Sequence, residues 1–331
     1  MKRFLDLANF SREQVLDLLS LAQALQDKPE PRALANKILG LVFFNPSLRT
    51  LASFQAGMAR LGGSAFVINP GLGTWQLETR PNTIMKGAAA EHIREGIPAL
   101  ASYCDVLGVR AFAEGKSLDS DLNETLFGMI DKLCDKPLIN MESAMNHPCQ
   151  ALADWRTMDE LKIPTRGKFV LSWAYHPKAL PLAVPAATVH MAAMRGMEVV
   201  VLRPDGFALP EQVMEKARLA ASAAGGSVTE SADRAAALSG ASVVYAKEWG
   251  TTTYYGDVEA DSRLRADLSD WCVRERWFEH TRPDAKLMHC LPVRRNVAVA
   301  DEVLDGPRAV VKLEAFNRLP VQMAVLHRML A

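Results

Sequence analysis

Two spacings of apolar residues alternate along the 331-residue chain. Short apolar runs at 38–44, 64–69, 105–111 and 137–141 read as buried strands. Helix-patterned segments follow at 50–61, 88–103, 124–134 and from about Cys149 to Leu161. A second series pairs 168–174 with 182–195, 198–202 with 210–223, and 226–229 with 232–238, then adds strand-like runs at 241–246 and 286–290. Ser11-Arg12-Glu13-Gln14 reads as a capping box opening an amphipathic helix through Leu25, and a last helix is expected over about Glu314 to Leu330. Regular alternation of this kind predicts an α/β chain of two lobes, each a parallel sheet flanked by helices. A helix over 151–162 would bridge the lobes, and Ile163-Pro164-Thr165-Arg166-Gly167 offers a break after it.

Composition narrows the function classes. Hydrophobic residues are 49% and charged residues 23%, and Lys+Arg equals Asp+Glu at 38 each, so no charge excess draws the chain to nucleic acid or a membrane surface. No apolar run approaches a membrane span, and the start Met1-Lys2-Arg3-Phe4 lacks a signal-peptide core, which predicts a cytoplasmic protein. Five scattered cysteines without Cys-x-x-Cys suggest reduced thiols and no metal site. Gly-x-Gly-x-x-Gly and the P-loop pattern are absent, so neither a dinucleotide nor ATP is implied.

Three loops carry the candidate chemistry. In Asn45-Pro46-Ser47-Leu48-Arg49-Thr50 a strand ends and a helix opens, so unpaired backbone amides, two hydroxyls and a guanidinium converge on an anion site. Ordinary capping by Ser47 is the alternative. Asn146-His147-Pro148-Cys149-Gln150 and Met288-His289-Cys290-Leu291-Pro292 also follow apolar runs. In open α/β sheets ligands bind beyond the carboxyl ends of strands, so these loops could serve one crevice. Taken singly, Arg110 could be the first solvated residue after a strand, His147 a satisfied core histidine and Trp75 a loop residue folded back into the core. Cys149 has no visible base partner and reads as packing.

Ser47-Leu48-Arg49-Thr50, Val109-Arg110, His147-Pro148-Cys149-Gln150 and His289-Cys290-Leu291-Pro292 together resemble the aspartate/ornithine transcarbamylase family, in its order and spacing over nearly the whole chain. Phe43-Phe44-Asn45-Pro46, the Trp75 loop, Glu91-His92-Ile93, Tyr175-His176-Pro177-Lys178, Tyr245-Ala246-Lys247 and Arg294-Arg295-Asn296-Val297 resemble its acetylornithine and succinylornithine subgroup. The resemblance implies a carbamoyl-phosphate domain over 1–150, joined by a C-terminal helix at 314–331, and an acceptor domain over 151–313. It implies a cofactor-free reaction of two small molecules, carbamoyl phosphate and an amine, in a homotrimer serving arginine biosynthesis. Ser47, the Leu48 amide, Arg49 and Thr50 would hold phosphate; Arg110, His147 and the Thr50 hydroxyl would face the developing oxyanion. Gln150, Arg318 and a neighbour's Trp75 would also line the carbamoyl-phosphate site. Cys290 and Leu291 would hold the carbamoyl nitrogen through their carbonyls and aim the amine, with Glu142, Lys247, Arg295 and Ala90 on the acceptor side.

Departures from the family pattern bear on the acceptor. Ala90 stands where acetylornithine enzymes carry glutamate, which removes a charge that would repel a succinyl carboxylate. Leu51 replaces a second arginine after the phosphate loop, Pro181 an expected asparagine and Ala298 an expected lysine. N-succinylornithine is therefore expected over N-acetylornithine. A different small amine, or a paralogue that binds phosphate compounds without turnover, are the alternatives.

Overall fold

The computed structural model describes residues 1–331. The chain forms two units: Met1–Glu114, Asp119–Cys149 and Arg318–Ala331 make the first, and Gly115–Leu118 with Gln150–Asn317 the second.

In the first unit the strands are β1 (Arg3–Phe4), β2 (Ile38–Phe43), β3 (Ser64–Ile68), β4 (Leu77–Glu78), β5 (Glu91–His92), β6 (Val106–Arg110) and β7 (Leu138–Glu142). Five of them form a parallel sheet in the order β1-β7-β6-β2-β3, while β4 and β5 pair separately. The central strands are apolar on both faces, with Leu39, Leu41, Val106, Leu107 and Ile139 buried, as a parallel sheet covered by helices requires. The helix Leu48–Arg60 stops where its sequence reaches Gly62, at φ 88°, where a Cβ would stand 2.3 Å from the Pro31 carbonyl.

The second unit holds β8 (Lys168–Trp173), β9 (Glu198–Leu202), β10 (Ser227–Ser231), β11 (Ala241–Lys247) and β12 (Lys286–Met288), parallel in the order β10-β9-β8-β11-β12. Its core includes Trp173 and Trp249, whose indole N–H groups donate to the carbonyls of Trp249 and Phe207 at 3.0 and 2.9 Å. Polar tips are satisfied without leaving the core. No helix is long and apolar enough to cross a membrane.

The predicted α/β class is the observed one, with particular differences at element ends. The helix expected over 88–103 begins only at Ile93, because Glu91 and His92 extend as β5 and the His92 ring caps the helix by accepting from the Arg94 amide at 3.1 Å. The last helix is Val311–Leu330, starting earlier than expected, and Arg318 on it is 2% exposed. The helix Val258–Arg265 has no counterpart in the pattern reading; its mixed charges hide one buried pair, Arg265 with Asp261.

Candidate active-site residues

The first-unit residues are assembled by strand adjacency. β2, β6 and β7 are neighbours and parallel, with Phe43 beside Arg110 and Arg110 beside Glu142. Their carboxyl ends therefore carry the Ser47 loop, Arg110 and the His147 loop side by side. Two hydrogen bonds pin the first loop to the end of β6: Phe44 N–H donates to the Arg110 carbonyl at 2.9 Å, and Asn45 Oδ1 accepts from Phe112 N–H at 2.8 Å. Ser47 caps the helix by accepting from Thr50 N–H at 3.3 Å. Leu48 is 79% exposed, which leaves its amide as the group it can offer an anion. Thr50 is buried and its hydroxyl accepts from Arg318 Nη2 at 3.0 Å, so the hydroxyl proton is directed elsewhere.

Beside this loop Arg110 pairs with Glu142 through Nη1, and His147 Nε2 lies 3.3 Å from the same Glu142 oxygen. The Arg110 guanidinium also stacks 4.5 Å over the Phe112 ring. All three charged or polar groups are buried. Burial first, then the charges of Arg318, Arg110 and Arg49, hold His147 well below the ordinary imidazole range, so the ring is neutral near pH 7. Facing a carboxylate, a neutral ring carries its single proton on Nε2. Arg110 Nε and His147 Nδ1 are buried without a hydrogen-bond partner. Cys149 is fully buried and its thiol is pushed up to about 12 by desolvation, which removes it as a nucleophile.

Trp75 and Ala90 belong to another segment of this unit. Trp75 is 60% exposed on a loop, not folded into the core, and its indole N–H donates to Glu91 at 2.8 Å. Ala90 is exposed immediately before that glutamate.

In the second unit Gln150 is buried and donates to Asp154 at 2.7 Å, and Tyr245 donates its hydroxyl to the other Asp154 oxygen at 3.0 Å. Lys247 Nζ donates to the Glu248 carboxylate at 3.1 Å, which His289 Nε2 approaches to 3.4 Å. Burial would raise Glu248, but Lys247 and then His289 hold it below the carboxylate range. The Cys290–Leu291 turn is built around His289: its Nδ1 accepts from Leu291 N–H at 2.9 Å, and its own N–H donates to Glu314 at 3.0 Å. Leu291 has φ 56°. Arg295 is exposed and bridges Asp301 and Asp305 at 2.7–2.8 Å. Ala298 is fully buried, with its N–H on the Arg294 carbonyl at 2.9 Å. Glu248, Asp154 and Glu314 were missed from sequence. Asp154 and Glu314 sit within helix patterns and Glu248 just past a strand, places where an acid ordinarily faces water, and only the fold reveals their burial.

Two family models match the chain: aspartate/ornithine carbamoyltransferase, carbamoyl-P binding domain, over residues 2–160, and aspartate/ornithine carbamoyltransferase, Asp/Orn binding domain, over residues 184–329. Similar relatives include the N-acetylornithine carbamoyltransferase of Xanthomonas campestris pv. campestris, 38% identical over 98% of this chain and 97% of the relative. The N-succinylornithine carbamoyltransferase of Bacteroides thetaiotaomicron is 36% identical over 89% of this chain and 88% of its own length. Among solved structures, an N-acetyl-L-ornithine transcarbamylase with one glutamate replaced by alanine, complexed with carbamyl phosphate and N-succinyl-L-norvaline, is 38% identical and covers 99% of this chain and 100% of its own, with a TM-score of 0.95.

Proposed function

The chain belongs to the aspartate/ornithine carbamoyltransferase family, and on that premise we propose that it moves the carbamoyl group of carbamoyl phosphate to the side-chain amine of an N-acylated ornithine, N-succinylornithine before N-acetylornithine. The observation carrying this reading is the row formed at the carboxyl ends of β2, β6 and β7: an anion loop, a guanidinium and a neutral imidazole on adjacent strands.

In the proposed reaction, phosphate rests on Ser47, the Leu48 amide, Arg49 and Thr50. The neutral amine attacks the carbonyl carbon, and Arg110, His147 and the Thr50 hydroxyl stabilise the oxyanion. The C–N bond forms, the C–O bond to phosphate breaks, and the departing phosphate takes the amine proton, leaving an acylcitrulline. No cofactor enters this scheme. Arg110 and His147 now face Glu142, so the carbonyl oxygen takes over donors that this carboxylate occupies. Glu142, once released, becomes an acceptor for the incoming substrate's N–H, in keeping with an acceptor-side role. Gln150 and the Cys290 and Leu291 carbonyls are assigned to the carbamoyl amide, and Lys247 and Arg295 to the acceptor's carboxylate, on the strength of the family resemblance. Arg295 must leave Asp301 and Asp305 to do so.

The acyl preference rests on Ala90. A relative's structure with alanine in place of one glutamate contains N-succinyl-L-norvaline, which supports the same charge argument. The test is kcat/KM with carbamoyl phosphate for ornithine, N-acetylornithine, N-succinylornithine and putrescine. N-succinylornithine should lead, and Ala90→Glu should erase its lead by setting like charges together. Background rates for every ornithine derivative, with turnover of another amine, would overturn the acceptor and leave the family standing. Pro181 and Ala298 are what favours that second reading.

A homotrimer with shared sites is part of the proposal, supported by Trp75, a large apolar side chain left exposed on its loop and not packed into its own core. Mixing inactive Trp75→Ala subunits with inactive Arg110→Ala subunits should restore partial activity. No recovery, with exchange verified by native mass spectrometry, would mean each site is built from one chain. A cytoplasmic location is supported by Cys104, Cys134, Cys149 and Cys272, all buried free thiols of the kind a reducing compartment preserves.

A further inference from the structure

The segment from Ser143 to Asn146 joins Glu142 to His147 without regular structure of its own. Its shape comes from Glu124. The Glu124 carboxylate accepts from Ser143 Oγ at 2.5 Å, Ala144 N–H at 3.2 Å, Met145 N–H at 3.0 Å and Asn146 Nδ2 at 3.1 Å. Asn140 Nδ2 adds a bond to Ser143 Oγ at 2.8 Å, and Ser143 N–H closes the turn on the Asn146 carbonyl at 2.9 Å.

Glu124 is unusual in two further respects. It holds φ 51° and ψ 39°, a left-handed conformation that a residue with a Cβ keeps only where its surroundings enforce it. It also precedes the helix Thr125–Leu133 but makes no side-chain cap on it. A residue at that position ordinarily satisfies the first amides of its own helix; this one gives its acceptors to a different loop.

We propose that Glu124 is a positioning residue for carbamoyl transfer, fixing the 143–146 loop and through it the approach of His147 to the reacting carbonyl. This rests on the function proposed above. Glu142 and His147 bracket the loop, so loosening it shifts both members of the pair they form, whose carboxylate also meets Arg110. A displacement of about 1 Å at a reacting group costs on the order of 100-fold in rate. The phosphate loop at Ser47–Thr50 hangs from β2 and is tied to β6, outside the reach of Glu124.

The experiment compares Glu124→Ala and Glu124→Gln with Ile130→Ala, which opens a cavity in the same helix's buried face without touching the loop. Kinetics are taken at a temperature where circular dichroism shows each variant folded. Glu124→Ala should lower kcat about 30- to 100-fold while KM for carbamoyl phosphate moves less than about threefold, Ile130→Ala should keep its kcat, and Glu124→Gln, which retains one acceptor oxygen, should fall between. If Glu124→Ala does not fold, Glu124→Gln decides: its kcat should drop and the nitrogen-15 resonances of His147 should shift in the resting protein. A kcat within twofold of wild type, an equal loss in Ile130→Ala, or an unmoved His147 spectrum overturns the proposal. The His147 spectrum needs no substrate, so it judges Glu124 even if wild-type protein fails to use N-acylornithines and the acceptor reading falls.

Discussion

Arg110→Ala should lower kcat/KM by about three decades, the upper end of what loss of a single oxyanion donor costs. Arg110 is expected to matter more than one donor because, beside the oxyanion role proposed for it, it is the cation that balances Glu142 in a buried setting. Removing it leaves that carboxylate beside a neutral imidazole. Breaking a buried pair in this way typically costs about 3–5 kcal/mol, so the variant should also melt at a lower temperature. The double variant Arg110→Ala with Glu142→Gln separates the two effects: it should regain much of the thermal stability and none of the turnover. Steady-state kinetics beside thermal unfolding of the three proteins checks this. A single variant that turns over near the wild-type rate would remove Arg110 from the chemistry.

His147→Gln should cost two to three decades in kcat, and it should also change how stability depends on pH. The folded protein holds His147 well below its ordinary value, whereas the unfolded chain releases it to about 6.5. Above that pH neither state binds the proton and His147 contributes no pH dependence. As pH falls below it, the unfolded state takes up a proton that the folded state refuses, and stability declines until the depressed folded value is reached. The wild-type melting temperature should therefore fall between pH 7 and 5 more steeply than that of His147→Gln. His176, lowered mainly by burial, should leave a residual slope in the variant. Parallel curves would show that His147 is not held neutral by its surroundings.

The α/β class and most strand positions were legible because buried parallel strands must be apolar on both faces, which writes unbroken runs into the chain at 38–44 and 105–111. The position of the Ser47 loop was legible for the complementary reason, since a strand that ends in Asn-Pro-Ser announces the capped start of a helix. Side-chain pairing across strands was not. Nothing in the segment Ile139-Asn140-Met141-Glu142 tells that Glu142 meets Arg110, because the pairing depends on register between strands far apart in sequence. Glu124 was equally silent, since an acid at the start of a helical pattern is ordinarily read as a favourable partner for the helix dipole.

Ala298 bears on which changes this chain can absorb. Its side chain is fully enclosed and its amide is held by the Arg294 carbonyl, so a lysine placed at that position would have to thread a long charged stem through packed surroundings. Such a substitution is costly unless neighbouring residues change with it. The packing thus acts as a latch at this position, and a change of specificity is steered toward residues that are less enclosed.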